Sequence, residues 1–280
     1  MGQKANSLIL RVNQKIYEPN FKYIYNNFEE STVLLYKSIE INLYIRRLLK
    51  SFGLIIHTLK FEYFKQGINL IIFVVSKNLK LFEKFDMNDS EFNKHINSFY
   101  LILWLIKKSV LEVLNTYTKS NFVNIYVHNV YKKFLNYIIK SKSKLVGYQK
   151  ILKIFRKFFK NSFLKEIFIA SSISIFEKRS ANYLANYLGK YFVHNKKRHN
   201  YLISFLKKLF PALISSSFSR ATGVKIVIKG RINGAPRAKT ITLQIGQIPL
   251  QSLALNIDYF NEVVYTFNGS FGIKVWICYK

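Results

Sequence analysis
Cysteine is nearly absent from this 280-residue chain. The single Cys278 excludes an intramolecular disulfide framework and any zinc site built on several thiolates. It falls in a stretch that reads as strand, where a free thiol behaves as a small buried hydrophobe. Acidic residues are scarce too: 14 Asp and Glu stand against 44 Lys and Arg. Few carboxylates remain for acid–base work. Glu29, Glu30 and the group Asp86–Glu91 fall in predicted loops with no basic or histidine residue in motif register. His194 and His199 are five residues apart, which does not bring them to one helix face, and no acidic third ligand is near. A P-loop, a dinucleotide fingerprint and a nucleophile elbow are all missing. The expectation is a protein without catalytic residues, metal site or cofactor. Long apolar runs are missing as well. Ile68–Val75, Phe99–Ile106 and Ile167–Phe176 fall far short of the ~20 residues a spanning helix needs, and Lys107 and Lys108 end the second abruptly. No membrane insertion is expected, although an amphipathic helix lying on a lipid surface stays open.

What the chain does have is positive charge and aromatic bulk. A formal net charge of +30, with pI ≈ 10.0, opposes compaction by self-repulsion unless a polyanion relieves it. Lysines and arginines that neutralise phosphates release counterions, giving salt-sensitive, largely sequence-independent affinity. The basic residues lie along the whole chain, which fits a protein embedded in folded RNA better than one docking a single groove. Solvated lysine faces would explain a few clusters but not this excess. Half the residues are hydrophobic, with 25 Phe and 19 Tyr, enough to build real cores, and the length suggests roughly two domains. Ile, Asn, Lys, Phe and Tyr have AT-rich codons, so aromatic abundance alone is no sign of base stacking.

Residues 1–32 show no periodicity beyond the apolar Leu8–Leu10 and read as an extended arm. From Val33 the spacing is helical, with Leu34, Leu35, Ile39, Leu43, Leu48 and Leu49 as apolar positions and Gly53 as the stop. Leu54–Tyr63 and Ile68–Val75 read as strands joined at Lys65-Gln66-Gly67, where Gly67 would supply a positive φ. A helix over Phe92–Tyr117 and a strand over Phe122–Val127 follow. Residues 131–177 are dense in Lys, Phe and Ile, with Lys-Ser-Lys-Ser-Lys at 140–144. They read as a helical insertion whose basic face binds RNA or a neighbour, or is merely solvated.

Tyr183, Leu184, Tyr187, Leu188, Tyr191 and Phe192 keep helical spacing, as do Leu202, Phe205, Leu206 and Leu209, predicting two helices joined near Asn195. From Val224 the period becomes two. Val224, Ile226 and Ile228 point one way; Lys225, Val227, Lys229 and Arg231 point the other. Asn233-Gly234 marks a turn, and Arg237 and Lys239 return on one face of the next strand. Phe271, Ile273, Val275 and Ile277 form the core-facing set of the last strand. The chain's one Gly-x-x-Gly, Gly269–Gly272, is explained by an Asn268-Gly269 hairpin turn. Antiparallel strands backed by two helices make an α+β sandwich.

Several of these stretches together resemble one family. Gly223–Ala235 reads GVKIVIKGRINGA, followed by Ile248-Pro249-Leu250, Asn256-Ile257-Asp258-Tyr259 and Gly272-Ile273-Lys274-Val275-Trp276-Ile277. The chain opens Met1-Gly2-Gln3-Lys4, with Arg11 further on. In this order they resemble the small-subunit ribosomal protein S three family. The resemblance implies an α+β fold with an rRNA-binding arm over 1–32 and a degenerate K-homology-like domain over 33–130. The helical insertion covers 131–177, and a C-terminal domain over 178–280 packs two helices on a mostly antiparallel sheet. It implies a structural constituent of the ribosome and not an enzyme. Lys4, Arg11, Lys225, Lys229, Arg231, Arg237 and Lys239 would bind rRNA in the head of the small subunit. Lys196, Lys197, Arg198, Lys207 and Lys208 would meet mRNA at its entrance, and ribosomal proteins S ten and S fourteen would be neighbours. Phe210 and Pro211 interrupt a helix that is more continuously basic in the family, and the basic residues the family carries around Gln244–Gln247 are missing. The loop that would hold the family's backbone-clamping Gly-x-x-Gly reads Ser76-Lys77-Asn78-Leu79-Lys80, with no glycine to let a phosphate approach. The resemblance starts at Met1, leaving no room for a presequence. With the AT-biased composition, the expected location is the mitochondrial matrix, in the mitochondrial ribosome, with a plastid or bacterial cytoplasm as alternatives. A basic protein of an organellar membrane surface and a free RNA-binding protein are the competing functions.

Overall fold
In the computed structural model, which describes residues 6–11, 20–23, 28–52, 54–64, 67–76, 89–118 and 122–280, the chain divides into two units. One is Pro19–Tyr131; the other joins Met1–Glu18 to Lys132–Lys280. The first runs β1 (Phe21–Tyr23), α1 (Phe28–Ser51), β2 (Leu54–Tyr63), β3 (Gly67–Ser76), α2 (Asp89–Thr118) and β4 (Phe122–Asn129). Its sheet has the order β1-β2-β3-β4, antiparallel at β2–β3 and parallel at the other two seams. Alternation does most of the work: Leu59, Phe61 and Tyr63 of β2 and Ile68, Leu70, Ile72 and Val74 of β3 all point to one buried face. Ile41, Ile45 and Leu49 of α1 and Ile106, Val110 and Leu114 of α2, each four apart, cover it. From α1 the element order is helix–strand–strand–helix–strand, with β4 joining the sheet beside β3.

Four details differ from the expectation. Helix α1 begins at Phe28, so Glu29 and Glu30 lie in its first turn, where the helix dipole favours acids, and not in a loop. The sheet takes the strictly four-spaced stripe of α1, leaving Leu35, Ile39 and Leu43 about half exposed on the far side. Gly67 has no positive φ; it is extended and opposite Phe122, and a Cβ there would sit 2.7 Å from the Phe122 carbonyl oxygen. Close approach of the parallel strand, not turn geometry, demands the glycine. Finally, part of the supposed arm is strand β1. Phe21 and Tyr23 stack on Phe61 and Tyr63 with ring centroids 5.3 Å apart in both pairs, and Lys22 bridges to Glu62 at 3.6 Å. Three residues are too few to show an alternation in sequence. Met1–Lys4, Gly53, the Lys65-Gln66 turn and the loop from Lys77 lie outside the described residues.

The second unit holds α3 (Val130–Ile139), α4 (Lys142–Phe155), a 3-10 turn at Arg156–Lys160, α5 (Ser162–Phe176), α6 (Ala181–His194) and α7 (His199–Ile214). Then come β5 (Ala221–Gly230), β6 (Lys239–Gly246), β7 (Asn256–Thr266) and β8 (Gly269–Tyr279), an antiparallel sheet in the order β6-β5-β8-β7. Val224, Ile226 and Ile228 pair in register with Ile277, Val275 and Ile273, and all six are buried. The positions expected to face inward on α6 and α7 are buried without exception. Half-buried Asp258 on β7 accepts a hydrogen bond from the Ala181 N–H at 2.7 Å, capping α6; desolvation raises its carboxyl above the usual range. Gly230 lets Phe271 close over the sheet, since a Cβ would lie 2.4 Å from the Phe271 Cδ1. The β7–β8 turn residues are Phe267 and Asn268, one earlier than expected, with Gly269 opening β8 at φ +116.

The segment 131–177 is built into this unit and is not a separate appendage. Every residue of α5 from Ile167 to Phe176 is buried, because a helix apolar on all sides must be surrounded. Two of its serines return their hydroxyls to the helix: Ser172 donates to the Phe168 carbonyl and Ser174 to that of Ser171, both at 2.9 Å. The longest apolar run of the segment is therefore core and has no face to offer a lipid. Among the described residues no helix is long and apolar enough to cross a membrane.

Candidate nucleic-acid interface
Directly paired residues of antiparallel strands share a face, so the register lays out the side of the C-terminal sheet opposite its buried set. Lys225 lies between Gln244 and Trp276, and Trp276 pairs onward with Tyr259. The next row is Val227, Thr242, Lys274 and Asn261; the next is Lys229, Thr240, Gly272 and Val263. The Lys225 ammonium is 5.7 Å from the Trp276 ring centroid, and Trp276 and Tyr259 have centroids 5.0 Å apart. Tyr265 and Phe267, 80% and 84% exposed, extend the aromatic surface toward the turn. Such a surface can neutralise phosphates and stack rings against bases. Lys274 belongs to it and was missed in the sequence, although the alternation that sends Ile273 and Val275 inward sends Lys274 outward.

The predicted rRNA residues do not all gather there. Lys225 and Lys229 do. Arg231, one residue beyond β5, is exposed and donates from Nε to the Ala235 carbonyl at 2.8 Å, while Arg237 is exposed in the bend before β6. Lys239 pairs with Gly230, which places it on the opposite face from Lys225 and Lys229 although it is exposed. Arg11 is the clearest departure. It is only 3% exposed, and its guanidinium donates to the carbonyls of Ser7 at 2.7 Å, Leu250 at 2.9 Å, Ser252 at 2.6 Å and Leu255 at 3.3 Å. The connection between β6 and β7 lacks a ladder for its carbonyls, and the arginine fork supplies the missing donors. Arg11 is a structural tie, not a phosphate contact. Lys4 lies outside the described residues.

Lys196, Lys197 and Arg198 are exposed in the α6–α7 connection. Lys196 lies 4.7 Å over the Phe267 ring, and its carbonyl accepts from Asn268 Nδ2 at 3.0 Å. His199 clamps the same connection. Its N–H donates to Asn233 Oδ1 at 2.7 Å, its Nδ1 accepts from the Asn233 N–H at 3.0 Å, and its Nε2 donates to the Asn195 carbonyl at 2.6 Å. These bonds specify the neutral ring, and burial lowers its pKa. A lysine-flanked histidine gives no hint of this in sequence. Asn200, Tyr201, Ser204, Lys207, Lys208 and Pro211 form the exposed stripe of α7. Lys208 is about 13 Å along the axis from His199, so the two predicted mRNA groups occupy one helix and its entry turn. Among the described residues no group of three or more His, Cys, Asp or Glu could hold a metal ion.

A family description, "Ribosomal protein S3, C-terminal domain", matches residues 202–277, from α7 through β8. "Small ribosomal subunit protein uS3c" of Euglena gracilis is 36% identical over 73 residues, 26% of this chain and 34% of that protein. The uS3c of Guillardia theta is 29% identical over 109 residues, 39% and 49% of the two chains. "Small ribosomal subunit protein uS3" of Microcystis aeruginosa is 31% identical over 105 residues, 38% and 42%. The chain thus spans about a third to a half of the length of the curated relatives it matches. The helix-backed sheet, from α7 through β8, is the part of the chain that carries this similarity. Over residues 202–277 the chain is similar to the C-terminal domain of ribosomal protein S3.

Proposed function
We propose that this protein is a structural constituent of the ribosome, binding rRNA in the head of the small subunit near the mRNA entrance. The observation that carries this reading is the family match over 202–277, whose strands bear the cationic, aromatic face of Lys225, Lys229, Lys274 and Trp276. Those lysines, with Arg231 and Arg237, position rRNA through its phosphates without reading bases; Lys239 reaches RNA from the other side of the edge strand. Lys196, Lys197, Arg198, Lys207 and Lys208 contact incoming mRNA. Ribosomal proteins S ten and S fourteen are the neighbouring proteins, and the chain makes and breaks no bond. The names of the relatives favour a plastid ribosome or a bacterial cytoplasm over the mitochondrial matrix expected from composition.

Sedimentation of a native lysate through a magnesium-containing sucrose gradient tests this. Comigration with small-subunit rRNA that persists in moderately high salt is the expected result. Recovery in the membrane pellet after EDTA and salt strip the ribosomes would overturn it.

A further inference from the structure
Between Val113 and Ile257 the sequence holds two acidic residues, Glu166 and Glu177. Glu177 takes the Lys133 ammonium at 2.9 Å, and Glu166 lies near Tyr183 and Tyr187. The lysines of α4 and the turn after it therefore have no carboxylate competing for them within their own stretch of chain. Lys150, Lys153, Lys157 and Lys160 are spaced three, four and three apart, and all are exposed. Helix α4 runs into the 3-10 turn without a break: Arg156 keeps helical angles, φ -52 and ψ -36, and its N–H donates to the Lys153 carbonyl. Residues three apart eclipse in a 3-10 turn. Phe155 and Phe158 thus share the inner edge, while Lys157 and Lys160 stand together outside.

The inner edge fixes where this row lies. Phe155 and Phe158 meet Phe205 of α7 with ring centroids 5.7 and 5.2 Å apart, and Phe158 meets Tyr201 at 5.5 Å. Tyr201 is still 43% exposed. Lys208 follows Tyr201 by seven residues on the same stripe of α7. We propose that the row Lys150, Lys153, Lys157 and Lys160 joins Lys208 across Tyr201 into one track for single-stranded RNA. Lysines on neighbouring helical positions have Cβ atoms about 5–6 Å apart, and their flexible ammonium groups neutralise successive phosphates while the tyrosine ring stacks a base. The track deepens the mRNA reading of α7 and rests on it: the segment 131–177 lengthens the basic surface at the entrance.

The test uses the purified 280-residue chain and a fluorescein-labelled oligouridylate of about 16 nucleotides. Anisotropy is followed across a salt series, and a 4-thiouridine version of the oligonucleotide reports contacts by photo-crosslinking. K153A/K157A/K160A is expected to weaken binding about tenfold and flatten the log–log salt slope by about 2, at ~0.7 per single-strand phosphate contact. Tyr201→Ala should abolish the crosslink at that position and weaken binding about fivefold without changing the slope. All four side chains are exposed, and circular dichroism checks that the fold persists. Wild-type affinity and slope in the triple variant would overturn the track, as would crosslinks confined to the sheet face of Lys225 and Lys229. Loss of binding to anionic phosphatidylserine vesicles alone, with RNA binding intact, would also overturn it and assign the row to a lipid surface. Gradient sedimentation of the wild type reads the ribosomal assignment separately, so failure of one does not masquerade as failure of the other.

Discussion

Arg11→Ala removes a guanidinium that satisfies three carbonyls of the 250–255 connection and one of its own turn. A hydrogen bond from a charged donor is worth about 1.5–3 kcal/mol net. Three such bonds to the connection total roughly 5 kcal/mol at the low end. A loosened loop lets water reach some of these carbonyls, so about 3 kcal/mol is the expected loss. For a unit of this size each kcal/mol shifts Tm by about 2–4 °C, which predicts a fall of about 6–12 °C. Near-ultraviolet circular dichroism follows the transition through Trp276 and Tyr259, and limited proteolysis should find new cleavage within residues 247–255. Arg11→Lys keeps the charge but lacks the planar fork, so it should recover less than half of the loss. Suppose instead that Arg11→Ala melts within about 1 °C of wild type, with an unchanged digest, while RNA affinity falls. The structural account would then be wrong, and Arg11 would be the rRNA contact that its resemblance implies.

Gly230→Ala drives a methyl into Phe271 and should cost about 1–3 kcal/mol; Phe271→Leu in the same chain should return part of it, and no recovery in urea unfolding would argue against the clash. His199 is held neutral, with its folded pKa below the unfolded value near 6.5. The unfolded state therefore binds more protons as pH falls, so this contribution is full above about pH 6.5 and is lost below it. Tm should drop between pH 7 and pH 5 in the wild type and less in His199→Gln; equal drops would remove His199 as the cause. Alanine at Lys225, Lys229, Arg231 and Arg237 should impair incorporation into small subunits while leaving the melting curve within about 0.5 kcal/mol per site, and normal incorporation would refute the rRNA face. Alanine at Lys196, Lys197, Lys207 and Lys208 should slow initiation on structured messages more than on unstructured ones, with equal effects pointing to rRNA contacts only.

Periodicity determined which face of each C-terminal element is buried. Val224, Ile226 and Ile228 against Lys225 and Lys229, and the helical spacing of Tyr183–Phe192 and Leu202–Leu209, each assign a face within one element, and burial follows that assignment. A period cannot say what covers a face or how two strands are aligned. That is why Lys239 looked like a companion of Lys225 until the Gly230 pairing placed it opposite. It is also why the apolar spacing of α1 does not separate Leu49, which the sheet covers, from Leu35, Ile39 and Leu43, which it leaves exposed. Gly67 looked like a turn residue because its true constraint, the Phe122 carbonyl, comes from a strand 55 positions away. Arg11 and the 250–255 connection are farther apart still, with separations of 239 to 244 positions. Lys150, Lys153, Lys157 and Lys160 follow one another at three- and four-residue steps, but the meaning of that spacing depends on Phe155 and Phe158 seating the turn on α7. Local sequence sets which side chains share a face because backbone geometry repeats over a few residues; tertiary structure alone decides which faces meet, because that depends on contacts between segments remote in the chain.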